Sequence, residues 1–370
     1  MIDERTILEM VDLYQNYYNQ FNDITDYYLS KKSERLNQRE YDDISNKIFN
    51  KHILSPEEMD ISVEEIDGKT FNNFSTQIAT FPIESQIGRR ITIGVKENNT
   101  DTYLGFIRLS SPVSSIKPRN EYFDTNLKLD KINKYFYNGQ TIVPVQPFGF
   151  NYLGGKLLAL ICVSNEVKNI FNKKYNTDIS VFETTSLYGS SKSSSMYDGL
   201  EPYIKFKGLT QSKNILTPTD NIYFTIRDKI REYYGNPEWN NSLVNPKGSS
   251  PKTRELNKMI QILKKHIKEI DMDRYKEFDT LVKTKSTTYQ QKRYYLSTGG
   301  IQNIHDVILN DETPQYLNKD KYDLNNIIRY WKNKANKRWN KLHNDNRIKY
   351  EKELYTRETI NEGINFNIIR

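Results

Sequence analysis

Apolar residues in the first sixty positions recur at helical spacing: Ile7, Met10, Val11, Leu13, Tyr14 and Tyr17 fall on one side of a helix. A second such run covers Glu34 to Ile53, and Ser55-Pro56-Glu57-Glu58 carries a helix-start signature with proline in the first turn. The pattern changes near residue 88. Ile91-Thr92-Ile93-Gly94-Val95 alternates, a polar turn follows at Glu97 to Asp101, and Tyr103 to Leu109 returns, which predicts a hairpin. Thr141 to Val145 predicts a further strand, with Pro144 suggesting an edge or a bulge. Gly154 to Phe171 reads as one helix with a broad apolar face, Ile179 to Phe182 as a strand, and Ser194 to Phe206 as a short helix. From 221 onward the signals are mostly helical. Asn236 to Pro251 reads as a loop, Leu256 to Ile270 as an amphipathic helix with Lys264, Lys265, His266 and Lys268 on its polar side, and Tyr322 to Tyr350 as a long basic helix or helix pair bearing Trp331 and Trp339.

These elements predict an α/β protein, a mixed sheet flanked by helical regions. They suggest three divisions: an N-terminal helical segment over 1–80, an α/β domain over 85–220 and a basic, mainly helical region over 221–370.

Composition narrows the chemistry. The 370 residues contain one cysteine, Cys162, which excludes an internal disulfide framework, and its place among apolar helix positions points to a buried thiol. Four scattered histidines show no metal-ligand spacing, so no metal is implied. No run approaches the roughly eighteen consecutive apolar residues of a membrane helix, and the polar start lacks an apolar leader core. A cytoplasmic protein without membrane attachment is the expectation.

Charge is unevenly placed. Residues 251–370 hold 25 Lys and Arg against 16 Asp and Glu, while the first 250 hold 29 against 31. A basic region interleaved with Tyr and Trp suits a polyanion, since cations neutralise phosphates and aromatic faces stack on bases. A solvated basic surface on a helical bundle is an equal reading of charge alone. The bias towards Asn, Lys, Ile and Tyr, with 27 tyrosines, also weakens arguments from any single Tyr.

The densest chemistry lies between Gln140 and Lys207. Asn151-Tyr152-Leu153-Gly154-Gly155-Lys156 precedes a helix, and small residues there let backbone N–H groups face an anion, with Lys156 adding a cation. A glycine packing point is the competing explanation. Downstream, Glu183 ends a strand, and Tyr197 and Asp198 sit in a small-residue turn, offering a general acid and two carboxylates.

Taken in order, Gly88-Arg89-Arg90, Leu104-Gly105-Phe106, Ser111-Pro112-Val113, Ile116-Lys117-Pro118-Arg119-Asn120, Ile142-Val143-Pro144, Asn151 to Leu158, Glu183-Thr184 and Ser194 to Tyr197 resemble the Druantia anti-phage system protein A family over about 85–210. That family in turn resembles the GNAT-like phage Mom proteins, which modify adenine bases in DNA. The resemblance implies a GNAT-like core and transfer of an acyl or related group to a DNA base in phage–host conflict. Tyr197 would be the acid, Glu183 and Asp198 the carboxylates, and Asn151 to Lys156 the cradle for acyl-CoA. DNA would be held by Arg89, Arg90, Arg119, Lys332, Lys334, Lys337 and Arg338, and protein partners from a phage or defence system are implied as well. The competing explanations are that Arg89, Arg90 and Arg119 pair with Glu or Asp at strand ends, that Tyr197 caps the core, and that Glu183 and Asp198 are solvated charges. One departure bears on the donor. Tyr152 occupies the first small position of the GNAT turn, where its side chain would crowd a pyrophosphate. The alternative is a non-catalytic DNA-binding scaffold in defence, counter-defence or a virion.

Overall fold

A computed structural model describes residues 2–38, 40–83, 88–186, 194–235 and 251–361. In chain order the elements are α1 (Glu4–Asn19), α2 (Ile24–Gln38), β1 (Ile61–Glu65), α3 (Gly68–Ile78), β2 (Arg90–Glu97), β3 (Thr102–Ser110), α4 (Lys117–Tyr122) and α5 (Leu129–Tyr135). There follow β4 (Phe136–Pro144), α6 (Phe148–Asn151), α7 (Gly154–Ile161), α8 (Asn165–Tyr175), β5 (Val181–Thr185), β6 (Lys205–Leu209), β7 (Ser212–Ile215) and α9 (Asp220–Tyr234). The chain continues with α10 (Pro251–Ile270), α11 (Met272–Thr284), β8 (Thr287–Gln290), β9 (Arg293–Ser297), α12 (Ile304–Asn310), α13 (Leu324–Asn344) and α14 (Arg357–Asn361). The expected mixed α/β architecture with helical flanks is present.

The chain divides into two compact units, each assembled from distant stretches: Met1–Lys31 with Gln211–Gln291, and Lys32–Thr210 with Lys292–Arg370. In the first unit, α1, α9, α10 and α11 bury Ile7, Tyr14, Tyr18, Ile230, Leu263 and Phe278 in one apolar cluster. Two of its tyrosines are anchored through their hydroxyls. The Tyr14 hydroxyl donates to Ser286 Oγ at 2.9 Å and the Tyr18 hydroxyl to the Leu216 carbonyl at 2.5 Å. The helix expected over Leu256–Ile270 is present within α10, though His266 on its supposed polar side is buried.

The second unit is built on a seven-stranded sheet in the order β1-β2-β3-β4-β5-β9-β6. The predicted hairpin is β2 and β3, with Ile93 opposite Ile107 and Ile91 opposite Leu109. Among the described strand pairs of this sheet β4 and β5 run parallel, joined by α6, α7 and α8, and the others antiparallel. One sheet face packs against a core that includes Phe106, Leu158, Phe182, Tyr295 and Trp331. The other covers Phe123, Phe136, Tyr294, Leu296 and Ile308.

Several local expectations are corrected. Pro144 does not mark an edge: β4 lies inside the sheet, and proline takes its last position, where a missing N–H interrupts nothing. The single helix expected from Gly154 to Phe171 is two, because Ser164 Oγ accepts the Val167 N–H at 3.2 Å and starts a new one. The second N-terminal run stops at Gln38. Ser55 to Glu58 forms a capping box on a single 3₁₀ turn, not a long helix. Ser194 to Phe206 is not helical. Gly199 takes φ +70°, Pro202 lacks a donor, and the Asp198 carboxylate captures the Ser195 N–H, so the chain turns and then enters β6. The loop expected over Asn236 to Pro251 lies outside the described residues as far as Ser250, and Pro251 opens α10.

Candidate functional site

Strand alternation decides which candidate residues meet. In the β5–β9 pair, Glu183 faces Leu296, Thr184 faces Tyr295 and Thr185 faces Tyr294. Successive side chains point to opposite faces. Glu183 and Tyr294 therefore share the face covered by α4, and Thr184 and Tyr295 share the face bearing the Tyr197 turn.

On the first face, Arg119 Nη1 donates to both Glu183 oxygens at 3.1 and 3.2 Å, and the Tyr294 hydroxyl donates to Glu183 Oε2 at 2.8 Å. Arg119 Nη2 closes the loop after β3 by donating to the Val113 and Ser114 carbonyls, both at 3.0 Å. Arg119 is 0% exposed and Glu183 1%. Burial raises the Glu183 carboxyl from its ordinary range, against the pull of Arg119 and Tyr294. Arg119 is thus an internal clasp, buried away from any polymer, and Glu183 is its counter-ion.

The second face gathers a different group. Asp198 Oδ2 accepts the Ser195 N–H at 2.8 Å and Arg293 Nη1 at 3.0 Å, and Oδ1 accepts the Tyr295 hydroxyl at 2.8 Å. Lys156 Nζ donates to the Asp198 carbonyl. Partial burial pushes the Asp198 carboxyl up, but the Ser195 N–H, Tyr295, Arg293 and Lys156 outweigh it, and the net shift is downward. Asp198 is held ionised with its lone pairs engaged, an arrangement that orients Arg293 and Lys156 rather than one that takes up a proton. The Tyr295 hydroxyl is pushed up to about 12, first by burial and then by Asp198. Tyr197 packs on Tyr295 with ring centroids 5.0 Å apart, and its hydroxyl is 3.5 Å from Thr184 Oγ1.

The glycine bend meets this cluster at one end only. Leu153 adopts a left-handed conformation (φ +57°) ahead of α7. A Cβ on Gly154 would lie 2.5 Å from two ring atoms of Phe148, so glycine here permits a close approach of α6 to α7. Asn151 is buried and clamps the backbone of Lys349, donating to its carbonyl at 2.7 Å and accepting its N–H at 3.1 Å. Tyr152 is also buried. Its hydroxyl donates to the Leu54 carbonyl at 2.9 Å, and its carbonyl accepts Trp331 Nε1 at 3.0 Å. The Lys156 and Leu157 N–H groups both reach the Leu153 carbonyl. These residues do not fit a pyrophosphate: the polar atoms of Asn151 and Tyr152 are bound to the chain itself, and Phe148 fills the space at Gly154. Gly155, beside Met196, and Lys156 are the part of the bend that joins the Asp198 cluster.

The remaining basic candidates separate. Arg90 is exposed at the start of β2, and Arg89 beside it is half-buried against the Phe171 ring. Helix α13 carries Arg329, Lys332, Lys334, Lys337, Arg338 and Lys341 and no acidic residue. It buries Ile327, Ile328, Trp331, Ala335 and Leu342 at helical spacing, which leaves Arg329, Lys337 and Lys341 exposed and Lys332, Lys334 and Arg338 half-buried. Lys332 donates to the Glu57 carbonyl at 2.9 Å. Lys334 lies over the Tyr330 ring at 5.0 Å, and Arg338 and Lys349 lie over the Phe150 ring at 4.7 and 4.8 Å. Burial and then the Lys334 charge lower the Lys156 pKa, against the opposing Asp198 charge.

The family model described as Druantia protein DruA matches residues 12–283, nearly three quarters of the sequence. The chain belongs to the DruA family. DruA is a component of an anti-phage defence system, and its match spans far more than the 85–210 blocks. No curated protein and no solved structure matches. Among the described residues of this DruA protein no helix is long and apolar enough to cross a membrane, and no His, Cys, Asp or Glu group could hold a metal.

Sequence reasoning missed Arg293, Tyr294 and Tyr295, which complete both faces of the site. The signal was a short β-prone run, Arg293-Tyr294-Tyr295-Leu296-Ser297, ahead of Gly299-Gly300, inside a stretch read as helical.

Proposed function

We propose that this DruA protein grips DNA during anti-phage defence, using the outward face of α13 together with Lys156 and Arg293. The observation that carries this reading is the acid-free run of six Lys and Arg on α13, whose field extends to Lys156. Cations placed this way release condensed counterions from a phosphate backbone, and exposed Tyr350 beside them supplies an aromatic face. Because the protein works in a defence system, protein partners accompany this role.

The test is binding of the full chain to a labelled duplex across a salt series. Affinity is expected to fall steeply with salt, and Lys334→Ala/Lys337→Ala/Lys341→Ala is expected to flatten the logarithmic slope by about two to three. Salt-insensitive binding, or a triple variant that binds as the parent does, would refute the proposal.

A second reading is group transfer to a DNA base with Tyr197 as acid, favoured by Tyr197 standing beside Lys156, Arg293 and the Asp198 turn. Its donor would not be cradled by Asn151 to Gly154, for the steric reason given above. Nucleoside mass spectrometry of DNA from cells with and without the gene tests it: no new mass means no transfer to bases.

A further inference from the structure

A cleft of about 780 Å³ opens in the second unit and is lined by Arg89, Ser111, Lys134, Thr177 and Asp178 among others. Its described lining consists of polar residues and one glycine. The head of the β2–β3 hairpin is fixed there: the Arg89 N–H donates to Ser111 Oγ at 3.1 Å, and the Ser111 N–H returns to the Arg89 carbonyl at 3.0 Å.

The two charges inside this frame differ in what they have to do. Lys134 is committed to Asp311 Oδ1 at 2.7 Å. Arg89 has no ion pair among the described residues, and its buried Nη2 has no hydrogen-bond partner there. A buried guanidinium nitrogen left unbonded is costly, and Arg89 lacks the carboxylate partner that Glu183 gives Arg119. The Asp178 carboxylate likewise accepts no hydrogen bond among the described residues. One guanidinium nitrogen without a partner and one exposed carboxylate therefore border the same open cleft.

We propose that this cleft binds a free nucleotide, with Arg89 receiving the phosphate and Asp178 accepting from ribose hydroxyls or a base amine. A guanidinium pairs with phosphate oxygens through parallel hydrogen bonds, and the volume lies in the ordinary range for small-ligand sites. The proposal does not depend on DNA binding by α13.

The experiment is calorimetric titration of the full chain with AMP, ATP, inorganic phosphate and a short duplex, for the parent, Arg89→Gln, Arg89→Lys and Asp178→Asn. At least one nucleotide is expected to bind more tightly than inorganic phosphate. Arg89→Gln should weaken that nucleotide about tenfold or more, with Arg89→Lys intermediate and Asp178→Asn also weaker. Duplex affinity should be unchanged, and melting curves identify any variant that fails to fold. Absence of nucleotide binding at about 5 mM, where even a weak site would be substantially filled, overturns the proposal. So does equal affinity in a folded Arg89→Gln variant. Phosphate binding as tight as nucleotide binding, or loss of duplex affinity in Arg89→Gln, overturns it too, by assigning the cleft to a bare anion or to the polynucleotide path.

Discussion

Glu183 and Tyr197 stand on opposite faces of the β5–β9 strand pair. Glu183 reaches Arg119 and Tyr294 on one side, and Tyr197 stacks on Tyr295 on the other. The sheet lies between them, so the two cannot act on one substrate atom. What remains beside Tyr197 is cationic: Lys156 and Arg293, organised by an ionised Asp198.

The Arg119–Glu183 pair predicts an asymmetry in stability. Removing one partner leaves the other charge buried and uncompensated, at about 3–5 kcal/mol. Arg119→Met alone should therefore be severely destabilised in urea denaturation. Arg119→Met/Glu183→Leu should recover most of that loss, since desolvation already raises the Glu183 carboxyl. A double variant no more stable than the single would show that the Val113 and Ser114 carbonyls, not the ion pair, are what Arg119 serves.

The two bend glycines should respond in opposite ways. Gly154→Ala forces a methyl against buried Phe148 and is expected to cost about 1–3 kcal/mol. At Gly155 the added carbon meets Met196 at an ordinary 3.6 Å, and alanine favours the first turn of α7, so the melting temperature should hold or rise. Equal losses at both positions would mean that backbone conformation, not packing, fixes this bend.

How much of this was legible depended on how far apart in the chain the partners lie. The β2–β3 hairpin could be read because its strands are adjacent and alternate. Helix α13 could be read because its apolar stripe is self-contained. Strand β9 was hidden: it sits between β5 and β6, both far upstream, and no neighbouring strand in sequence pairs with it. The glycine bend reaches the Tyr197 turn only through Gly155 and Lys156, and sequence could not show that Asn151 and Tyr152 turn inward to hold Lys349 and Leu54. Nor could it show that Arg119, a plausible phosphate ligand by type, is enclosed.

Asn151 imitates a strand, exchanging two hydrogen bonds with the Lys349 backbone. Asn151→Ala removes both and leaves two backbone groups to water, so the segment after α13 should detach more often, by about 1–3 kcal/mol. Limited trypsin digestion should then cut faster after Lys349 and Lys352, while sites elsewhere keep their rates. Uniformly faster cutting would point to global destabilisation instead.

His52 supplies the pH dependence. It is 2% exposed, edge-on to Phe49 at 5.3 Å and stacked on Tyr152 at 6.0 Å, and neither ring nitrogen has a hydrogen-bond partner among the described residues. Burial, and then the Lys352 charge, lower its pKa from 6.5 to about 4. A histidine depressed in the folded state takes up its proton more readily when unfolded. Its contribution is therefore complete above pH 6.5 and is lost as pH falls towards 4, up to about 3 kcal/mol. His52→Phe keeps an aromatic ring in the packing and removes the titration. Urea midpoints measured from pH 7 to pH 4 should fall more steeply for the parent than for this variant. Parallel curves would place the acid sensitivity in other groups.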